Sequence, residues 1–236
     1  MALTRSSIYG LETMLEPLMP PRYQPFTTGA GGGVVPGFID RYPLTADGNS
    51  TTGNNNGTVT GATFVSDPTR GDVIEYDGSG DRVENTNDMN GYTDFSVYIW
   101  AEQDSSGNAS TNNIFQSESL LIRHATGGIN ILVFDNRNGT GPFRNATVTM
   151  ADDVWKYITV TGAGNTIKVY IDGVDQSASF GTSTTTTVFS GGVLGAAFLS
   201  GSYQRHWYGR QSDCIIYDAE HNQDQVTQNY NATVAA

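Results

Sequence analysis

Asp153-Val154-Trp155-Lys156-Tyr157-Ile158-Thr159-Val160-Thr161, then a link over 162–166, then Ile167-Lys168-Val169-Tyr170-Ile171-Asp172-Gly173 is the stretch that decides the fold class. Apolar and polar residues alternate on both arms, the pattern of a strand with one buried and one wet face. The glycine-bearing link reads as the turn of a hairpin. Near the C-terminus, Tyr208-Gly209-Arg210-Gln211-Ser212-Asp213-Cys214-Ile215-Ile216-Tyr217-Asp218 alternates in the same way. Working outward, further short strands are expected over 72–76, 95–101, 114–115, 120–123, 129–134, 146–150 and 193–198. Loops rich in Asn, Gly, Ser and Thr separate them at 44–63, 103–113, 135–142 and 181–187. The run Thr184-Thr185-Thr186-Thr187 is β-prone and extended. A short helical turn over 219–230 closes the chain. The expected class is all-β, a two-sheet antiparallel sandwich.

The chain of 236 residues is 37% hydrophobic, enough for one sizeable β domain. Its 28 glycines suit many turns. Twelve Lys and Arg stand against 24 Asp and Glu, a formal charge of −12, which excludes a basic face for nucleic acid. An acidic surface keeps a protein soluble and leaves carboxylates available for calcium. Cys214 is the one cysteine, so no internal disulfide forms, and its apolar strand makes it a small buried hydrophobe. There is no signal peptide and no apolar run long enough for membrane insertion. The Asn-x-Ser/Thr sequences at Asn49, Asn56, Asn108, Asn138, Asn145 and Asn231 follow from an Asn- and Thr-rich composition. These traits fit a protein made in a host cytoplasm that works outside it, as a virion component does.

Residues 1–39 differ from the rest. They hold five of the eight prolines and the Gly29-Ala30-Gly31-Gly32-Gly33 run. Ile8, Leu11, Met14, Leu15 and Leu18 recur at helical spacing before Pro20. Leu11, Leu15, Leu18, Tyr23, Phe26 and Phe38 give the segment more apolar character than a free tail carries. It is read as an extended arm for anchoring or oligomerisation, with the sandwich over 40–236.

Several pieces resemble, in order, the laminin-G-like, concanavalin A-like lectin/glucanase jelly roll. They are Tyr42-Pro43-Leu44, Ile74-Glu75-Tyr76-Asp77-Gly78 leading to Asp81-Arg82-Val83, Phe95-Ser96-Val97-Tyr98-Ile99-Trp100, Trp155 to Thr161, Val169-Tyr170-Ile171-Asp172-Gly173, and Gly209 with 213–218. The resemblance implies the fold, and a domain that holds sugars or proteins more often than it cuts them. Fold alone does not assign function.

Glucanases of this fold carry Glu-x-Asp-x-x-Glu on a strand, where two-residue spacing puts carboxylates on one face. Here Glu75 and Asp77 match, but Gly80 stands at the third position and Asp77-Gly78 fits a structural turn, so no catalytic residue is assigned. His124, His206 and His221 are scattered, without triad or zinc spacing. Sugar binding needs an aromatic platform and planar polar groups. Trp100, Trp155 and Trp207 fall at core positions, which leaves Tyr203, Arg205 and His206 as exposed candidates, with Asn136 and Arg137 as a second group. Asp47 with Asn49, or Asp135 with Asn136, would suit a structural calcium, and Asx-rich turns form without metal as well; no other cofactor is expected. The reading is a non-enzymatic virion surface protein, a capsid decoration or a fibre. Its arm would bind capsid or other virion proteins, its sandwich would touch host glycans, and the chain would oligomerise. The rivals are a free carbohydrate-binding adhesion module and a glycan-cleaving enzyme.

Overall fold

The computed structural model describes residues 33–53, 55–85, 92–105, 112–117, 120–125, 128–133, 144–148, 151–164, 166–177 and 192–234, with backbone alone over 125, 128–133 and 144–148. In chain order the strands are β1 (Asp40–Tyr42), β2 (Thr58–Thr60), β3 (Thr63–Asp67), β4 (Gly71–Asp77), β5 (Arg82–Asn85), β6 (Asp94–Gln103), β7 (Asn112–Gln116), β8 (Leu120–Ala125) and β9 (Gly128–Val133). They continue as β10 (Arg144–Val148), β11 (Lys156–Ala163), β12 (Thr166–Ile171), β13 (Val174–Asp175), β14 (Gly192–Leu194), β15 (Ala197–Leu199), β16 (Ser202–Gln204) and β17 (Tyr208–Tyr217), followed by helix α1 (Gln223–Thr233). Among the described residues, an eight-stranded sheet runs β13-β12-β11-β6-β17-β4-β3 with β1 added on β17. A seven-stranded sheet runs β10-β9-β8-β7-β14-β5-β2, and β15-β16 form a separate hairpin. The two sheets pack face to face as the sandwich that alternation implied.

The core between the sheets takes alternate residues from each strand: Phe95, Val97, Ile99 and Ala101 of β6, Ile158 and Val160 of β11, Leu120 and Ile122 of β8, with Trp207 and Cys214. Burial of this apolar surface, at roughly 25 cal/mol per Å², is the main stabilising term. The expected hairpin is β11–β12, with Ile158 opposite Ile171 and Ala163 opposite Thr166.

One expectation is corrected here. The second face of these strands is not wet. Tyr98, Trp100, Tyr157, Tyr170 and Tyr217 form a buried aromatic layer on the outer face of the eight-stranded sheet. Such a surface needs cover, and α1 supplies it. Asn222 caps the helix: its side chain accepts from the Gln225 N–H at 3.0 Å, and the Gln225 side chain accepts from the Asn222 N–H at 3.0 Å. Val226, Asn229 and Thr233 then face the sheet. The segment 33–39 lies beside the helix. Asn229 Oδ1 accepts from the Val35 N–H at 2.7 Å, and the Tyr217 hydroxyl donates to the Val35 carbonyl at 2.8 Å. Phe38 meets Tyr217 edge to face. Thus Phe38 packs on its own sandwich, while Leu11, Leu15, Leu18, Tyr23 and Phe26 lie outside the described residues.

Two further corrections are local. The strand expected over 193–198 breaks at Gly195, whose φ of 78° belongs to the left-handed region. A Cβ there would stand 2.2 Å from the Tyr76 ring, so the chain turns under that ring and β15 leaves the sheet. The polar loop expected over 44–63 contains β2, where Thr58, Val59 and Thr60 pair with Glu84, Val83 and Arg82. The run 184–187 lies outside the described residues.

Candidate functional site

A cleft of about 320 Å³ lies on the outer face of the eight-stranded sheet, at the end that α1 leaves uncovered. Its floor follows from strand register. Tyr208 of β17 lies opposite Asp77 of β4, and Arg210 lies between Glu75 of β4 and Glu102 of β6. Alternation sends Ile74, Tyr76, Ala101 and Gln211 to the interior, so their neighbours Glu75, Asp77, Glu102 and Arg210 line the cleft. Asp81, Asp104 and Asp153 complete its rim. Tyr208 rests on Gly78, where a Cβ would stand 2.9 Å from the ring.

Arg210 organises the acids. Its Nη1 lies 2.9 Å from Asp67 Oδ2, its Nε 3.1 Å from Glu75 Oε1, and Nη1 is 3.9 Å from Glu102 Oε2. Burial pushes the Asp67 carboxyl up, but the N–H groups of Thr69 and Arg70 and the Arg210 guanidinium outweigh it, and the pKa falls below its ordinary value. Burial lowers the Arg210 pKa, but its hydrogen bonds to Glu75 and Asp67 and the charges of Glu102 and Glu75 outweigh it, and the net shift is upward. Glu102 behaves differently. Burial raises its pKa, Arg210 only partly offsets this, and Asp67, Asp153 and Asp104 add repulsion. Its buried Oε2 has no hydrogen-bond partner. Asp81, which accepts from the Asp77 N–H at 2.8 Å, is also raised, chiefly by burial. One ring, one guanidinium and several carboxylates around a cavity of this size can hold a polyhydroxylated ring. Carboxylates accept from its hydroxyls, the guanidinium donates, and the ring covers a C–H face. Six carboxylates to one arginine disfavour an anionic sugar.

Sequence spacing placed Glu75 and Asp77 together, and both line the cleft. It missed Arg210, Glu102 and Tyr208, which join through the β4–β17–β6 ladder, and Asp153, which precedes β11 and whose N–H donates to the Gln103 carbonyl at 2.7 Å; no local motif marks them. Tyr203, Arg205 and His206 do not line the cleft, although His206 borders its rim at Asp81. Tyr203 sits on the β15–β16 hairpin beneath Arg82, whose Cζ is 4.0 Å from the ring centroid. Arg205 has its side chain in solvent at a φ of 53°, and its carbonyl accepts from the Asn113 N–H. His206 turns its Nδ1 toward the Asp81 carbonyl at 3.3 Å. Asn136, Arg137 and Asp135 lie outside the described residues. Of the core tryptophans, Trp207 and Trp100 are buried and Trp155 is half-buried against the aromatic layer. Asp47 and Asn49 bond each other, Asp47 Oδ1 accepting from the Asn49 N–H at 2.9 Å. Among the described residues, no group of three or more His, Cys, Asp or Glu is placed to hold a metal ion.

Residues 77–227 match the family model of the concanavalin A-like lectin/glucanases superfamily. No curated protein sequence is significantly similar. Among solved structures, the fold resembles domain 4 of the extracellular arabinanase of Geobacillus stearothermophilus, in complex with arabinotriose, with TM-score 0.65 and 18% identity over 82% of this chain and 98% of that one. It also resembles the receptor binding domain of botulinum neurotoxin C/D mosaic serotype, with TM-score 0.59 and 14% identity over 82% and 51%. A third is the sialidase of Trypanosoma rangeli, with TM-score 0.64 and 14% identity over 90% and 35%. The chain thus spans the arabinanase domain, about half of the toxin domain and about a third of the sialidase.

Proposed function

The chain belongs to the concanavalin A-like lectin/glucanase superfamily, and from that premise we propose that it is a carbohydrate-binding module whose cleft takes a neutral or cationic sugar. The carrying observation is the lining of the 320 Å³ cleft: Tyr208 and Arg210 beside Glu75, Asp77 and Glu102. The fold it shares with a domain solved with arabinotriose supports a glycan ligand. Binding is favoured over cleavage because Glu75, the carboxylate nearest a glucanase role, is tied to Arg210 at 3.1 Å. Glu102, raised by burial and without a hydrogen-bond partner at Oε2, favours a glycan-cleaving reading.

The test is titration calorimetry of the full chain against neutral, amino and acidic oligosaccharides. Tyr208→Ala and Glu75→Gln are each expected to weaken binding about tenfold or more, with little loss of thermal stability. Acidic sugars are expected to bind least. Variants that bind as tightly as the wild type would remove the cleft from this role. Release of reducing ends from the same sugars, lost in Glu102→Gln, would turn the reading to hydrolysis.

The setting we propose is the surface of a virus particle, with residues 1–39 as the anchoring arm and several copies side by side. Support comes from the acidic composition, the single buried thiol, and an apolar N-terminal segment outside the family match. Weak arm contacts would sum through multivalency. Sedimentation of the source culture tests this: the protein is expected to pellet with particles in hundreds of copies as a decoration, or a handful as a fibre. Recovery only in the free fraction would end the virion reading.

A further inference from the structure

We propose that the β15–β16 hairpin carries a second carbohydrate platform, on the opposite face of the sandwich from the cleft, built on Phe198 and Tyr203 and taking the apolar face of a neutral pyranose. The hairpin folds over the outside of the seven-stranded sheet, where Ala197 and Leu199 cover Leu121 of β8. Its neighbours Leu120 and Ile122 belong to the interior, which fixes the side. The platform shares no residue with the cleft and does not depend on it.

Phe198 is 46% exposed, and the other large exposed hydrophobics among the described residues, Val154 and Val174, are aliphatic. A single exposed ring is ordinary on a protein surface; what distinguishes this one is how it is held. Gln116 of β7 grips the backbone of Phe198 on both sides. Its Oε1 accepts from the Phe198 N–H at 2.6 Å and its Nε2 donates to the Phe198 carbonyl at 3.2 Å. The hairpin tip turns through Ser200 and Gly201 at φ of 51° and 83°, and Gln204 Nε2 closes it onto the Leu199 carbonyl at 3.2 Å. The ring is therefore presented on a fixed backbone. Preorganisation of this kind lowers the entropic cost of capturing a ligand.

Tyr203 stands 5.0 Å from Phe198 between centroids, the two rings at 59°. Arg82 closes one side of Tyr203 and ion-pairs with Glu84 at 3.5 Å. Burial, with Glu84 second, pushes the Tyr203 hydroxyl up to about 12, so it stays protonated and uncharged. The result is an aromatic corner rimmed by a hydroxyl, a guanidinium and a carboxylate whose charges cancel. That chemistry suits C–H stacking with hydrogen bonds to hydroxyls, and gives an ionic ligand no net attraction. A protein partner fits less well. A stable interface buries about 800 Å² on each side around several apolar anchors, and the hairpin offers one exposed ring.

The test is an NMR titration of the full chain with neutral mono- and oligosaccharides, following the aromatic signals of Phe198 and Tyr203. The variants are Phe198→Leu, Phe198→Trp and, as a control in the cleft, Glu75→Gln. Sugar is expected to shift both rings. Phe198→Leu should bind about tenfold more weakly at the hairpin at an unchanged melting temperature, Phe198→Trp at least as well as the wild type, and Glu75→Gln unchanged there. The proposal is overturned if no neutral sugar moves these signals, if Phe198→Leu binds like the wild type, or if Glu75→Gln abolishes all sugar binding. It is equally overturned if Phe198→Leu instead dissolves an oligomer in sedimentation, which would make the ring a contact between copies.

Discussion

His221 lies buried beside Tyr98 and Tyr217, its Nδ1 2.6 Å from the Tyr98 hydroxyl and its ring 4.1 Å from that of Tyr217. Burial pushes its pKa down to about 4 from 6.5. A base whose folded pKa is depressed stabilises the fold fully above its unfolded pKa, and the contribution is lost as pH falls from about 6.5 toward 4. The loss amounts to roughly 3 kcal/mol. Urea unfolding at pH 7 and at pH 4.5 should therefore show a steeper acid loss in the wild type than in His221→Gln; equal slopes would mean that the imidazole is not buried neutral. The single-residue level is also where sequence informs least. Strand alternation marked the core partners of Trp207 and Cys214, but nothing in the order of residues says that His221 sits under a tyrosine or that Arg210 meets three acids. The bonds of His221 to Tyr98 and of Arg210 to its acids join residues far apart in the chain.

At the scale of elements, the strap over 33–39 and α1 form one unit. Val35 hydrogen-bonds to both Asn229 and Tyr217, and Gln228 Nε2 donates to the Gly33 carbonyl at 3.0 Å. A truncation that removes residues 1–32 keeps the whole strap and serves as the reference. Removing 1–39 strips Val35, Phe38 and Ile39 from the core and leaves Asn229 without the Val35 donor. The expected cost is about 2–4 kcal/mol, read by chemical denaturation. Equal stability of both truncations would show that the strap contributes nothing. The sequence made β4, β6, β11, β12 and β17 legible because each alternates over five residues or more. It did not show β2, three residues within a polar loop, or the break at Gly195, which is set by the Tyr76 ring from another strand. The short terminal helix was legible, but its load was not: the aromatic layer beneath it looked like the wet side of the sheet.

At the scale of the molecule, the cleft and the hairpin occupy the outer faces of two different sheets, with the common core between them. The net charge of −12 was legible, and it sets the expectation that polyanions are repelled. The position of either surface was not, because it depends on which strands become neighbours. The strap has one more consequence. Gly33 is tied to the helix at Gln228, and the helix ends at Thr233, five residues or about 8 Å further on. Gly33 and Thr233 therefore lie at one corner of the sandwich. A unit with adjoining entry and exit can be spliced into a loop of a larger protein, or hung from a single stalk, without parting a sheet.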